Sequence, residues 1–121
     1  MRRASFGVAM SGGAEADLSI SVLGGTAGGL AANINRWRAQ LGLPELRAGD
    51  IAATTETISA GGLSFTFVDL AGQTSGAPMR MLAAIAELEG QSWFFKLTGP
   101  DAGIAAEKTA FIAFLRTVKS R

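Results

Sequence analysis

The segment of residues 79–88 most limits the folds open to this chain. It is apolar at every position except Arg80 and Glu87, so it has no polar side to turn toward water. A short apolar run between turns is typical of a strand that is covered on both faces. The alanines in this run favour a helix, and periodicity alone also allows one. The flanking turns favour the strand, so we predict a central strand with other layers packed on both faces.

Alternation of side chains along the chain predicts further strands. They cover residues 5–10, 17–22, 54–60 (as an edge strand), 63–70 and 92–98. In the last of these, alternation turns Phe94 and Lys96 away from Trp93 and Phe95. Short glycine-rich turns between consecutive strands predict antiparallel pairing. Residues 72–78 are predicted to be a loop, and residues 46–53 are ambiguous, with a short helical turn near Asp50 as one interpretation.

Two amphipathic helices are predicted to cover this sheet. The first has an apolar face spaced i, i+4, i+7 and i+11, made of Leu30, Ile34, Trp37 and Leu41. Gly42 suits the position just after its end, and Pro44 prevents its continuation. The second starts near Pro100 and Asp101, and its face carries Ile104, Lys108, Phe111, Leu115 and Val118. The predicted fold class is therefore α+β, an α/β/α sandwich whose antiparallel sheet of five to six strands is covered by two main helices.

Composition excludes several classes of function. The chain has 121 residues, which predicts one domain spanning residues 1–121. It contains no cysteine and no histidine, so a Ser-His-Asp or Cys-His site is impossible within it, and we expect no cofactor and no metal. The net charge is +1 with acids and bases interspersed, which indicates no nucleic-acid partner. No apolar run reaches the roughly 18 residues of a membrane span, and the sequence as given predicts either a cytoplasmic protein or the mature part of an exported one.

The helix predicted within residues 28–44 contains the first candidate site. Asn33, Arg36 and Gln40 are three and four residues apart, so they are candidates for one donor-rich ridge that binds an anionic partner. The alternative is an ordinary solvated helix face. Trp37 is predicted to anchor the helix in the core, and stacking on a ligand is its alternative role.

Lys96 is the second candidate. Beside the aromatic side chains of its strand, it is a candidate Schiff-base nucleophile or general base, with Asp69 or Glu87 as its partner. The alternative is a structural lysine, whose ammonium reaches water at a sheet edge or pairs with a carboxylate.

The stretch Gly-Gly-Leu-Ala-Ala-Asn-Ile-Asn-Arg-Trp-Arg-Ala-Gln-Leu-Gly-Leu-Pro at residues 28–44 resembles the signature of a bacterial family of uncharacterised proteins. These proteins are often exported or lipoprotein-like. Residues 1–6, 92–100 and 111–115 also match, so the resemblance covers almost the whole chain. It implies a fold similar to PsbP, the extrinsic subunit of the oxygen-evolving complex, and to a Ran-binding nuclear import factor. Relatives usually begin earlier, with an export signal and a Gly-Trp segment before the Met-Arg.

Two functions are compatible with these observations. The first is a non-enzymatic interaction or ligand-binding domain that binds a protein or small ligand and can form a homodimer. The second is a small enzyme that uses Lys96 with Asp69 or Glu87 on an apolar or carbonyl-containing substrate. Since fold does not imply function, the choice depends on whether these side chains meet in a cavity.

Overall fold

The computed structural model of the chain describes residues 2–9, 15–24, 29–60, 62–88 and 90–118. Within these ranges one sheet of six strands has the order β1-β2-β6-β5-β4-β3, and every neighbouring pair is antiparallel. The strands are β1 (Arg2–Ala9), β2 (Glu15–Gly24), β3 (Thr55–Ala60), β4 (Leu63–Thr74), β5 (Ala77–Leu88) and β6 (Gln91–Pro100). The α+β class and the antiparallel sheet are confirmed, and β3 is an edge strand as expected.

Strand β5 is the central strand that its composition predicts. It lies between β4 and β6, and its side chains alternate between two separate cores. Leu82 and Ala84 belong to the core that includes Ile104 and Phe111, whereas Met81 faces the other core, which contains Trp37. Helices therefore pack against both faces of the sheet.

The helical segments differ in part from the prediction. They are α1 (Leu30–Gln40), α2 (Ala48–Ile51) with a 3-10 turn at Ala52–Thr54, α3 (Asp101–Ala106) and α4 (Lys108–Leu115). The prediction of a single C-terminal helix is wrong, because the helix is interrupted at Glu107. The N–H of Glu107 donates to Ile104 O at 3.0 Å. This bond to the third preceding residue is of the 3-10 type. The apolar spacing continues across the break, so periodicity could not reveal it.

The segment predicted as a loop at residues 72–78 is a β-hairpin. Strand β4 runs to Thr74, β5 begins at Ala77, and Ser75 and Gly76 form the connection with φ of 51° and 80°. Two successive positive φ values define the type I′ turn, which matches the twist of paired strands. The loop prediction is wrong because this turn needs only two residues, and the flanking ones remain paired.

Helix α1 ends as the sequence predicts. Gly42 has a φ of 69°, and its N–H donates to Ala39 O at 3.1 Å while Leu43 N–H donates to Arg38 O at 2.8 Å. These two bonds form a Schellman motif, which satisfies carbonyl groups at the helix end. At the other end, Leu30 belongs to the predicted apolar face of the helix but lies outside the core. Leu30 is 38% exposed, because it is the first residue of α1 and lines an open cleft rather than the core.

The C-terminal end of α1 lies directly on strand β4. Gln73 N–H donates to Leu41 O at 2.9 Å. A Cβ atom at Gly72 would overlap Leu41 O and lie 2.8 Å from Leu41 Cβ. Only glycine therefore permits this approach, which sets where the end of α1 rests on the sheet.

We expect Gly72→Ala to lower the free energy of unfolding by about 1–3 kcal/mol, because the added methyl group overpacks the contact between Leu41 and β4. Urea denaturation measures the change. Gly49→Ala is the matched control, since a Cβ there meets no atom within 4 Å. It should be neutral or raise stability by up to about 1 kcal/mol. Equal stability of the Gly72→Ala variant and the original chain would contradict the close approach.

Candidate functional site

A trough of about 750 Å³ lies beside the C-terminal half of α1, on the sheet face that carries this helix. We call it the α1 trough. Its polar lining consists of Asp17, Ser19, Gln40, Thr74, Lys96 and Thr98, and its apolar lining includes Leu41, Met79, Met81 and Pro100. The α1 trough thus combines hydrogen-bond donors with an apolar wall.

Strand register explains why these polar side chains meet. In the β2–β6 pair, Ser19 lies opposite Lys96 and Asp17 lies opposite Thr98. Alternation places all four on one face of the sheet, whereas Leu97 faces the core on the other side. Since the apolar face of α1 packs on residues of β4 and β5, the polar residues of β2 and β6 are left beside the helix as lining of the trough.

Trp37 connects α1 to this part of the sheet. Its side chain is 1% exposed, and its ring meets Phe94 edge to face, with centroids 6.2 Å apart and planes at 85°. Lys96 Nζ lies over the same ring, 5.8 Å from its centroid, which is within the range of a cation–π contact. The prediction of Trp37 as a core anchor is confirmed.

The predicted ridge on α1 is only partly present. Asn33 is 1% exposed and donates from Nδ2 to Gly29 O at 2.8 Å, so its assignment to an exposed ridge is wrong. The physical reason is that Asn33 lies one helical turn before Trp37 and shares its inward direction. Arg36 and Gln40 are exposed, but Gln40 lines the α1 trough and Arg36 does not.

Neither carboxylate predicted as a partner of Lys96 lies near it. Asp69 is on the opposite face of the sheet, where it contacts Arg80 and Lys108. Glu87 shares the face of Lys96 but lies four residues along β5 from Ala83, which is opposite Lys96. This separation is about 13 Å. Both pairings are therefore wrong, because sequence alone does not give the strand order or register. Asp17 is the carboxylate that lines the trough with Lys96, and sequence reasoning did not select it.

Asp69 belongs to a structural ion network on the other face. Arg80 donates from Nη1 to Asp69 Oδ1 at 2.6 Å and from Nε to Asp101 Oδ1 at 2.7 Å. Lys108 Nζ lies 3.2 Å from Asp69 Oδ2. Because Asp101 and Lys108 are the first residues of α3 and α4, the network ties the start of both helices to strands β4 and β5.

Hydrogen bonds to Asp101 and Asp69 raise the pKa of the Arg80 guanidinium above its ordinary value. A raised pKa in the folded state means that the stabilisation is present below the unfolded pKa and lost only as the pH rises through the folded one. Arg80 therefore supports the fold throughout the neutral range, and its contribution disappears only in strong alkali.

Among the described residues no group of three or more acidic side chains is placed to share a metal ion. In the same part of the chain, no helix has the length and apolar character needed to cross a membrane.

Comparison with known proteins adds information on the fold alone. No family model matches the chain, and no curated protein matches it. A crystal structure of PA94 from Pseudomonas aeruginosa, described as a protein of unknown function and a candidate regulator, is similar with a TM-score of 0.65. The likeness covers 98% of this chain and 82% of that one at 16% sequence identity. At this identity the likeness concerns architecture and transfers no activity.

We expect Asp69→Asn to lower the free energy of unfolding by about 1–2 kcal/mol, since it weakens charge-assisted hydrogen bonds that are only partly exposed. Salt should reduce the difference, because it screens the ion pairs. Thermal and urea unfolding at low and high salt measure it. The matched control is Asp50→Asn, an exposed residue with no ion pair among the described residues, for which we expect a change within about 0.5 kcal/mol. Equal effects of the two substitutions would contradict the structural role of the network.

Proposed function

We propose that this chain is a non-enzymatic interaction or ligand-binding domain of PsbP-like fold, and that its ligand occupies the α1 trough. The observation that carries the proposal is that Lys96 and Gln40, from separate elements, line one trough together with apolar side chains. The resemblance of residues 28–44 to a bacterial family, and the sheet packed between helices, support the fold assignment.

A small carboxylate with an aliphatic tail fits the chemistry of this trough. The ammonium of Lys96, the amide of Gln40 and the hydroxyl of Thr98 can all donate hydrogen bonds to an anion. Met79 and Met81 give the wall an adaptable apolar surface. The volume of about 750 Å³ falls within the range of about 300–1,000 Å³ that is typical of small-molecule sites.

Asp17 lowers the affinity that we expect of the α1 trough for a carboxylate ligand. Its exposed side chain lines the same trough, and a carboxylate repels an anionic ligand. Neutralising Asp17 should therefore strengthen anion binding, whereas neutralising Lys96 should weaken it. General adsorption of an anion to a chain of net charge +1 would change with the same two signs, so the control that identifies a specific site removes a cation outside the trough.

We expect hexanoate to bind the chain saturably and to shift the amide resonances of Ser19, Gln40, Lys96 and Thr98. Lys96→Met should weaken binding by about 10-fold or more, the loss expected for a charge-assisted hydrogen bond, and Asp17→Asn should tighten it. Titration of the ¹⁵N-labelled chain by NMR measures both effects. Melting temperatures of the variants show whether the fold is retained.

Arg36→Ala is the matched control, because it removes an exposed cation of α1 that lies outside the trough. Its affinity for hexanoate should equal that of the original chain, and hexanol should bind more weakly than hexanoate. The proposal fails if a folded Lys96→Met variant binds hexanoate as tightly as the original chain does.

A lysine-dependent enzyme is the second candidate, and one observation favours it. Asp17 and Lys96 are diagonal neighbours across the β2–β6 pair, a relation that places side chains about 7–8 Å apart or less. If Lys96 forms a Schiff base, its amine condenses with an aldehyde and releases water, and borohydride reduces the resulting imine. Peptide mapping after treatment with hexanal and borohydride should then find Lys96 modified far more than Lys108. Equal modification of the two would exclude this candidate.

Self-association is a further part of the proposal. Strands β1 and β3 are the outer strands of the described sheet, and the free backbone groups of an edge strand can pair with a second chain. Sedimentation equilibrium over a range of concentrations tests for a homodimer, and a single monomer mass throughout would exclude it.

A further inference from the structure

A second concavity of about 320 Å³ lies at the N-terminal end of α1, away from the α1 trough. We call it the Glu87 cleft. Its lining includes Leu30, Leu63, Thr66, Ile85, Glu87 and Phe94. We propose that the Glu87 cleft binds the ammonium group of an aliphatic primary amine, with the Glu87 carboxylate as counter-ion and the alkyl tail against the apolar wall.

The apolar wall combines buried and exposed surface. Phe94 is 4% exposed, so its side chain is fixed by packing in the core. Leu63 also lines the cleft, although its side chain belongs to the core on the opposite face of the sheet. Leu30 is 38% exposed, and among the described residues it is the exposed large hydrophobic side chain. An alkyl tail in the cleft would cover Leu30 and remove apolar surface from water.

The charge of the cleft selects a cation. Glu87 makes no ion pair among the described residues, and the described residues that line the cleft include no lysine or arginine. A carboxylate beside an apolar wall is complementary to an alkylammonium ion and repels a carboxylate ligand. The cleft and the α1 trough therefore select ligands of opposite charge.

The carboxylate of Glu87 is held in place by its neighbour on β6. Ser92 lies opposite Glu87 in the β5–β6 register, and Ser92 Oγ donates to Glu87 Oε1 at 2.9 Å. Ser92 is 1% exposed, so this hydroxyl is part of the rigid sheet. A carboxylate oriented before binding loses less conformational entropy when it pairs with a ligand.

Titration of the ¹⁵N-labelled chain with hexylamine, in a buffer without other amines, tests the proposal. We expect saturable shifts at Leu63, Ile85 and Phe94, an affinity about 10-fold or more lower in Glu87→Gln, and a smaller loss in Leu30→Ser. Hexanol has the same tail without the charge. We expect it to bind the original chain no more tightly than hexylamine binds the Glu87→Gln variant.

Glu56→Gln is the matched control, because Glu56 is an exposed carboxylate on the edge strand β3. It should bind hexylamine as the original chain does. The inference is overturned if folded Glu87→Gln binds hexylamine with unchanged affinity, or if hexanol binds equally well. Lys96→Met should leave hexylamine binding intact. The test of the Glu87 cleft therefore does not depend on whether the α1 trough binds hexanoate.

Discussion

The packing of Trp37 between α1 and β6 is the contact on which both concave sites depend. Its indole is almost completely buried and meets Phe94 edge to face, a geometry that adds to the large area an aromatic ring buries. Phe94 also lines the Glu87 cleft, and Lys96, which lies over the same indole, lines the α1 trough. A shift of α1 away from the sheet would therefore alter both sites at once.

The two faces of the sheet use charge differently. On the face that carries α3 and α4, the guanidinium of Arg80 and the ammonium of Lys108 are neutralised by Asp69 and Asp101. These charges hold helices to strands. On the face that carries α1, Lys96 and Glu87 line concavities of different size and lie about 13 Å apart along the sheet. The proposed binding chemistry is therefore confined to the α1 face.

Much of the fold could be predicted because its periodic signals are strong. The apolar run in β5 and the helical spacing of Ile34 and Trp37 each allow few structures, and Gly42 ends α1 through a conformation that glycine adopts readily. The break at Glu107 was not predictable, since one 3-10 bond changes no side-chain spacing. The hairpin at Ser75 and Gly76 was missed because its flanking residues are polar or small and exposed.

The candidate site was predicted less well, because it depends on strand order and on which face each residue occupies. Strand β4 carries apolar residues on both faces, with Phe67 and Val68 pointing opposite ways, so the face of Asp69 could not be deduced from hydrophobic alternation. Asn33 could have been placed correctly, since its spacing from Trp37 is one helical turn. Lys96 and Gln40 were selected on their own chemistry, and only the sheet register shows that Asp17 accompanies them.

The burial of Trp37 can be measured directly. The chain has two tryptophans, so Trp93→Phe leaves Trp37 as the only indole. Our account predicts that the emission of this variant is blue-shifted in the native state, resists quenching by acrylamide, and moves to the red only when urea unfolds the chain. The contrary result is red-shifted emission from the folded variant that acrylamide quenches as readily as it quenches free tryptophan. That result would contradict the packing of α1 against the sheet.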